Sequence, residues 1–275
     1  MKLEQDRPIL VSVCSPVHNE AENLPEFIAR IHQVMTPLFG QAFEQILVDD
    51  GSDDDSAEVI AELQKRWSGI RLLAHATNQG ERAAWRSAFE AARGEIVVVM
   101  ASDLQARPED IPKLLAAVMN QGFDCATAFR ARRKDSLYFR AVTRLFGLAV
   151  NLIFGLPVRD ATSSFMAVRA KFLQPNNLMA NDHRYILPIL KRRGAKIKEV
   201  ETTHGLRANG RTHYNRWKVV KALPEFLRFC LRLYSGYYDQ KPRADFTAKA
   251  LPAPQQAQFE PVIGQKLRGA PWIAP

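Results

Sequence analysis

A run of apolar residues, Ile96-Val97-Val98-Val99-Met100, stops abruptly at Ala101-Ser102-Asp103-Leu104-Gln105, with Pro108 close behind. Consecutive rather than alternating β-branched residues suit a strand covered on both faces, and such strands belong to parallel sheets of α/β folds. Ligands of open α/β sheets bind outside the carboxyl ends of the strands, so this run delivers its polar residues to the edge where a site is expected. An acid at that edge faces a diphosphate only with a cation between them, since two anions repel. Asp103 is therefore a candidate metal ligand, and its competing reading is to cap the helix expected from about Pro108.

The flanking chain repeats the strand-then-helix pattern. Residues 8–17 read as a first strand ending in Pro16-Val17-His18-Asn19-Glu20, after which Phe27, Ile28, Ile31, Val34 and Met35 recur at helical spacing. Residues 43–50 form a second strand, ending in Val48-Asp49-Asp50-Gly51-Ser52, and Asp54, Asp55 or Ser56 can cap the helix that follows. A third strand, 70–74, leads through Asn78-Gln79-Gly80 into an alanine-rich helix to about Ala92. Beyond the central run come a helix from about Pro108 to Asn120 and a fifth strand over 123–128. Alternation of this kind predicts a mostly parallel sheet with helices on both faces, which gathers the turns bearing Glu20, Asp50 and Asp103 at one rim. Each turn alone has a plainer reading: Asp49 and Asp50 as solvated turn acids, Glu20 as a first-turn acid favoured by the helix dipole, Asn78-Gln79-Gly80 as an ordinary turn.

With 275 residues and 47% hydrophobic composition, one main globular domain is expected. Lys plus Arg outnumber Asp plus Glu by 38 to 29, and the resulting charge of +9 favours anionic partners such as nucleotide diphosphates, lipid phosphates or an anionic membrane surface. No nucleic-acid-binding motif accompanies that charge, so nucleic acid is not an expected partner. Cys14, Cys125 and Cys230 are odd in number and far apart, which fits reduced thiols of a cytoplasmic protein. The amino terminus lacks the apolar core of a signal peptide, and no apolar run reaches the roughly 18 residues of a membrane span.

Taken together the motifs resemble those of the inverting family 2 glycosyltransferases with the GT-A fold, particularly the dolichol-phosphate mannosyltransferase and bacterial polyprenyl-phosphate glycosyltransferase branch. Pro16-Val17-His18-Asn19-Glu20 resembles P-x-Y-N-E, Val48 to Ser56 resembles V-D-D-G-S-x-D-x-T, and Asn78 to Ala84 resembles N-x-G-K-x-x-A. Asp103-Leu104-Gln105 with Pro108-Glu109 resembles the later part of D-A-D-L-Q-x-x-P-E, and Ala128-Phe129-Arg130 resembles G-x-R. Further on, Asp160 to Phe165 resembles D-x-T-G-S-F-R, His183-Arg184-Tyr185 resembles the R-[FY] segment, and His204 to Tyr214 resembles H-x-x-R-x-x-G-x-S-K-Y.

The resemblance implies a GT-A fold, a nucleotide-diphosphate sugar donor, Mg2+ or Mn2+ as cofactor, and a polyprenyl-phosphate acceptor. It places Pro16, His18, Glu20, Val48, Asp50 and Ser102 in the nucleotide pocket and Asp103 with Gln105 at the metal and diphosphate. Arg130 and Arg207 face the phosphates, while Asp160, Arg184 and His213 lie on the sugar or acceptor side. Arginine suits such places because its planar fork grips two phosphate oxygens. Three residues depart from the pattern: Ala101 stands where the first D-x-D acid is expected, Met166 follows Ser-Phe in place of arginine, and His213 precedes Tyr214 in place of lysine.

A lipid-phosphate acceptor brings an anionic oxygen and needs no strong base, whereas a glycan, small-molecule or peptide hydroxyl needs a carboxylate, for which Asp160 and Asp182 are the candidates. A noncatalytic nucleotide-sugar or lipid-phosphate binder is the reading from another class, and Ala101 is what favours it. Two stretches, 137–158 and 217–238, mix apolar, aromatic and basic residues and read either as membrane-interfacial helices or as core-facing amphipathic ones. The chain thus divides into an expected catalytic domain over 1–215, an amphipathic helix over 216–240, and a Pro-, Ala- and Gln-rich tail over 241–275. The expected location is cytoplasmic, peripheral to the inner membrane face. His32 and His75 each stand outside any ligand spacing, and no role is expected of either.

Overall fold

The computed structural model describes residues 8–130, 147, 150–161, 163–173, 177–179, 182–203 and 217–239. Its strands are β1 Val11–Val17, β2 Phe43–Asp49, β3 Ile70–Ala74, β4 Ile96–Val99, β5 Cys125–Arg130, β6 Met166–Arg169 and β7 Ile197–Thr202. Its helices are α1 Leu24–Phe39, α2 Ser56–Arg66, α3 Glu81–Ala91, α4 Ile111–Asn120, α5 Ile186–Arg192 and α6 Trp217–Tyr234. The strands form one sheet in the order β3-β2-β1-β4-β6-β5-β7. Strands β1 to β4 pair in parallel, as do β5 and β7, while β6 runs antiparallel to β4 and β5. The carboxyl ends of every strand except β6 therefore share one rim, and β6 enters the sheet from that same rim.

Side chains alternate between two cores, which is why the strands read as continuous apolar runs. Val11, Val13, Leu47, Ile96 and Val98 face one core, closed by α1 and α4, with Ile60 of α2. Cys14, Ile46, Val48, Val97 and Val99 face the other, closed by α3, α5 and α6. Helix α1 shows the local logic. Pro25 sits in its first turn, where a missing N–H leaves no bond unmade, and Phe27, Ile28, Ile31 and Met35 are fully buried along one stripe. Each such side chain contributes about 1.5–3 kcal/mol by leaving water. His32, on the same helix, stacks on Trp67 at 4.9 Å, and burial pushes it down to about 4, so it is a neutral core histidine.

Helix α6 is anchored by Phe226, Phe229 and Leu233, which pack with Tyr185 and Tyr238 in the second core. Its other side leaves Leu227, Leu231 and Tyr234 exposed. From Pro224 to Tyr238 the stretch is thus core-facing on one side and carries exposed apolar side chains on the other. Of the earlier stretch, 150–154 is helical, and residues 137–146 lie outside the described residues, as does the tail from 240.

At the rim opposite the strand carboxyl ends, β2 begins with a fully buried carboxylate. Glu44 Oε1 accepts from Ser12 Oγ (2.7 Å) and the Arg93 N–H (2.8 Å), and Oε2 accepts from Arg93 Nη2 (2.8 Å) and Arg71 Nη1 (2.9 Å). Burial pushes this carboxyl up, but the donors of Arg93, Ser12 and Arg71 outweigh it and hold it below its ordinary range.

Candidate active site

The loops after β1 and β2 are laced together by side chains capping backbone N–H groups. Asn19, at φ +56°, donates its N–H to Ser52 Oγ (3.0 Å) and accepts from the Asp53 N–H through Oδ1 (2.8 Å). Glu20 N–H donates to Ser56 Oγ (3.0 Å) and Ala21 N–H to Asp54 Oδ2 (3.1 Å). Burial pushes Asp54 up, but the Ser56 hydroxyl and the Ala21 and Ser56 amides hold it below the usual carboxylate range. Asp49 accepts from the Ser52 hydroxyl and amide. Asp49 and Asp50 are both buried, so neither is the solvated turn acid of the plainer reading.

Asp50 reaches sideways into the loop between β3 and α3. Its Oδ1 accepts from the Gln79 N–H (3.0 Å), its Oδ2 from the Gly80 N–H (2.7 Å), and His75 Nδ1 lies 2.7 Å from Oδ1. Asn78 Nδ2 sits 3.0 Å from Nε2 of His18, an exposed side chain at the rim. Gly51 makes this closure possible. At φ +65°, a Cβ on it would meet the Asn78 nitrogen and the Thr77 carbonyl carbon at 2.5 Å. Gly51→Ala is expected to cost at least about 2 kcal/mol through backbone strain. The matching readouts are a melting temperature lower by roughly 4–8 °C and faster amide exchange at Gln79 and Gly80.

Beyond β4 the chain turns through Leu104 at φ +59°, with Ser102 Oγ donating to the Pro16 carbonyl (2.9 Å) and the Gln105 N–H donating to Asp103 Oδ1 (3.1 Å). Ala101, Asp103, Gln105, Ser163, Ser164 and Thr202 help line a cleft at the ends of β4, β5 and β7. Asp103 is the one carboxylate among the residues lining it, and the rest of its polar lining is an amide and hydroxyls. That donor set fits a hard cation such as Mg2+ or Mn2+ that keeps water and substrate phosphate as most of its ligands. It does not fit a cation held by protein alone, and no cluster of three or more His, Cys, Asp or Glu able to hold a metal occurs among the described residues.

Other expected site residues fall in different places. Pro16 is half-buried beneath Ser102, and the Glu20 carboxylate accepts from Asn23 Nδ2 (2.5 Å). Val48 is fully buried, so its side chain packs in the core beneath the rim rather than on it. Arg130 ends β5 opposite Thr202 of β7, which places its backbone at the cleft rim. Arg207 and His213 lie outside the described residues. Arg184 is exposed in a turn that packs on α3, where His183 Nε2 stands 3.3 Å from Glu81 Oε2. That bond from His183 is the main reason the Glu81 carboxyl stays below its usual range.

Asp182, the other candidate base, is committed to structural partners. It is 1% exposed, and Arg232 Nη2 (2.6 Å), Tyr238 Oη (2.5 Å) and the Met179 N–H (2.6 Å) all donate to it, tying α6 to the preceding turn. Asp160 is set by a residue that sequence patterns did not single out. Glu199 of β7 accepts from the N–H groups of Arg159 (2.6 Å) and Asp160 (3.0 Å), while the Arg159 guanidinium lies 4.0 Å over the Phe129 ring. His75 was equally silent in the sequence, because its partners Asp50 and Ser87 are brought to it only by the folded sheet.

Comparison with known proteins agrees with this architecture. The family model described as Glycosyl transferase family 2 matches residues 12–175. An undecaprenyl-phosphate 4-deoxy-4-formamido-L-arabinose transferase of Pseudomonas aeruginosa is 35% identical over 216 residues, covering 78% of this chain and 63% of that protein. The protein of the same name in Aeromonas hydrophila is 32% identical over 217 residues, covering 78% of this chain and 65% of its own length. The chain thus spans less than two thirds of the length of these curated relatives. Among solved structures, a mannosyltransferase from Pyrobaculum calidifontis in complex with GDP-Man and Mn2+ superposes with a TM-score of 0.60 at 18% identity, over 98% of this chain and 77% of that one. Glucosyl-3-phosphoglycerate synthase from Mycobacterium tuberculosis, in complex with Mn2+, UDP and glucosyl-3-phosphoglycerate, gives 0.57 at 20% identity, over 86% and 82%. At those identities the likeness is one of fold.

Proposed function

The chain belongs to glycosyl transferase family 2, and from that premise we propose that it moves a sugar from a nucleotide-diphosphate donor to a polyprenyl phosphate. The observation that carries the reading is the cleft holding Asp103 and Gln105 beside the laced loops of β1 and β2, in a chain 35% identical to transferases named for undecaprenyl phosphate. In the reaction an acceptor phosphate oxygen forms a bond to the sugar's anomeric carbon as the bond from that carbon to the donor's diphosphate breaks, with inversion. The acceptor oxygen is already anionic, so no carboxylate need remove a proton. The commitment of Asp182 to Arg232 and Tyr238 is compatible with that economy.

Asp103 and Gln105 would hold the Mg2+ or Mn2+, which supplies positive charge against the departing diphosphate. Arg130, from the end of β5, and Arg207 are the proposed guanidinium partners of the phosphates. His18, with Asn78 beside it, is the proposed platform for the base, and Asp160 and Arg184 are proposed for the sugar and acceptor side. Incubation of the purified protein with UDP- and GDP-sugars, short prenyl phosphates and Mg2+ or Mn2+ tests the reading. Release of nucleoside diphosphate dependent on the prenyl phosphate is expected, and none across a broad panel would overturn it.

A lipid acceptor requires a lipid surface. No helix among the described residues is long and apolar enough to cross a membrane. The outer side of α6 presents Leu227, Leu231 and Tyr234, and the neighbouring 150–154 segment presents Leu152 at 83% exposure and Ile153. Tyr234 Oη donates to the Ile153 carbonyl (2.9 Å), joining the two into one apolar face. We read this face, on a protein of charge +9, as lying on the anionic cytoplasmic side of a membrane. The double change Leu152→Glu and Leu231→Glu removes two exposed side chains each contributing about 1.5–3 kcal/mol on burial, so sedimentation with anionic vesicles is expected to weaken at least about tenfold. The melting temperature is expected to stay the same, because neither side chain is packed.

A further inference from the structure

Strand β3 ends at Ala74, and the next residue joins three elements. The His75 N–H donates to the Asp49 carbonyl (2.9 Å), its Nδ1 lies 2.7 Å from Asp50 Oδ1, and its Nε2 lies 2.9 Å from Ser87 Oγ on α3. The ring is 11% exposed. One tautomer satisfies both contacts: an Nδ1–H donating to the carboxylate and an Nε2 accepting from the hydroxyl. Asp50, buried at the end of β2, then has three donors, His75 and the amides of Gln79 and Gly80. Gly80 opens α3, and Asn78, two residues earlier, touches His18. A chain of contacts therefore runs from α3 through the imidazole and the carboxylate to the loop and the rim.

We propose that His75 is a positioning residue for the nucleotide side of the site. By fixing the Asp50 carboxylate it fixes the 77–80 loop and, through Asn78, the orientation of His18, without touching the nucleotide itself. The inference rests on the glycosyl-transfer reading and adds to it the group that preorganises the base subsite. Loss of the imidazole removes one of three donors from a buried carboxylate, which then turns to find another and releases the two loop amides. Charge-assisted hydrogen bonds of this type correspond to a change of about 10- to 100-fold in an equilibrium that depends on them.

The test compares His75→Asn with His75→Gln. The amide nitrogen of asparagine reaches the place of Nδ1, whereas that of glutamine reaches the place of Nε2, so only the first can still donate to Asp50. Titration calorimetry with UDP and with GDP, each with Mn2+, is expected to show about 10- to 100-fold weaker binding of the preferred nucleotide by His75→Gln and recovery of most of that loss by His75→Asn. Both variants are expected to be fully folded at the titration temperature, with His75→Gln melting the lower because it lacks the donor to Asp50. Equal affinities for the two variants overturn the assignment. If the unaltered protein binds neither nucleotide, the glycosyl-transfer reading fails first and takes the inference with it. If it binds and His75→Gln binds as tightly, the inference alone fails.

Discussion

Replacing Asp103 with alanine is expected to lower metal-dependent sugar transfer by about 10²–10³-fold, the usual cost of removing one group that stabilises developing charge. The size follows from the cleft, where Asp103 is the one carboxylate among the lining residues, so the proposed cation would lose the protein ligand that carries charge. Asp103→Asn separates this from a local folding effect. Its side-chain oxygen can still accept from the Gln105 N–H, which Asp103 holds at 3.1 Å, while the negative charge is gone. Both variants are expected to melt within about 6 °C of the parent, since breaking a half-exposed turn bond costs about 0.5–1.5 kcal/mol. Ala101→Asp is expected to act oppositely, lowering the Mg2+ or Mn2+ concentration that gives half-maximal release of nucleoside diphosphate. An unchanged metal response in both would remove Asp103 from the site.

The second large effect concerns stability at the far rim. Glu44→Ala is expected to destabilise the fold by about 3 kcal/mol, the lower end for removing one partner of a buried ion pair. The lower end applies because Arg93 is 60% and Arg71 34% exposed, so water screens part of each pairing and hydrates the guanidinium groups left behind. Ser12 Oγ and the Arg93 N–H, by contrast, lose their acceptor inside the protein. A melting temperature lower by roughly 6–12 °C is the readout. The pH dependence follows from the same contacts. The Glu44 carboxyl is held below its ordinary value in the folded chain, so its stabilisation is complete above the unfolded carboxylate's value, about 4.3, and fades as pH falls through the folded one. Glu44→Gln is expected to flatten the acid limb of the stability curve below about pH 4.5.

Much of the architecture was legible because its signals are local. Each of the first four strands ends at a polar turn within two residues of where the apolar runs stop, and α1 follows the spacing of Phe27, Ile28, Ile31 and Met35. Strand β6 left no comparable mark. Met166-Ala167-Val168-Arg169 is too short to show a period, and its antiparallel direction is decided by its neighbours. The site was legible only as a set of loops. That Asp103 would share a cleft with Ser163 and Thr202 depends on β5, β6 and β7 lying beside β4, which no turn motif encodes. The same holds for Glu199, which holds the Asp160 backbone from 39 residues away, and for His75, whose carboxylate partner is 25 residues upstream. Asp182 misled for a related reason. An acid beside His183 and Arg184 looks chemical in sequence, and only the packing of Arg232 and Tyr238 reveals it as a structural tie.

The direction of β6 also has an evolutionary consequence. Strand β5 leaves the sheet at the cleft rim and β6 returns there, with Thr127 paired to Met166, so the intervening chain departs and comes back through one doorway. Changes of length within that excursion leave the pairing of β5 with β6 at its two ends intact, provided Val150, Leu156 and Val158 keep their places in the second core. Under the proposed function, new acceptor preferences can then arise between a fixed pair of posts, while the loops of His18 and Asp50, proposed to read the donor, are inherited unaltered.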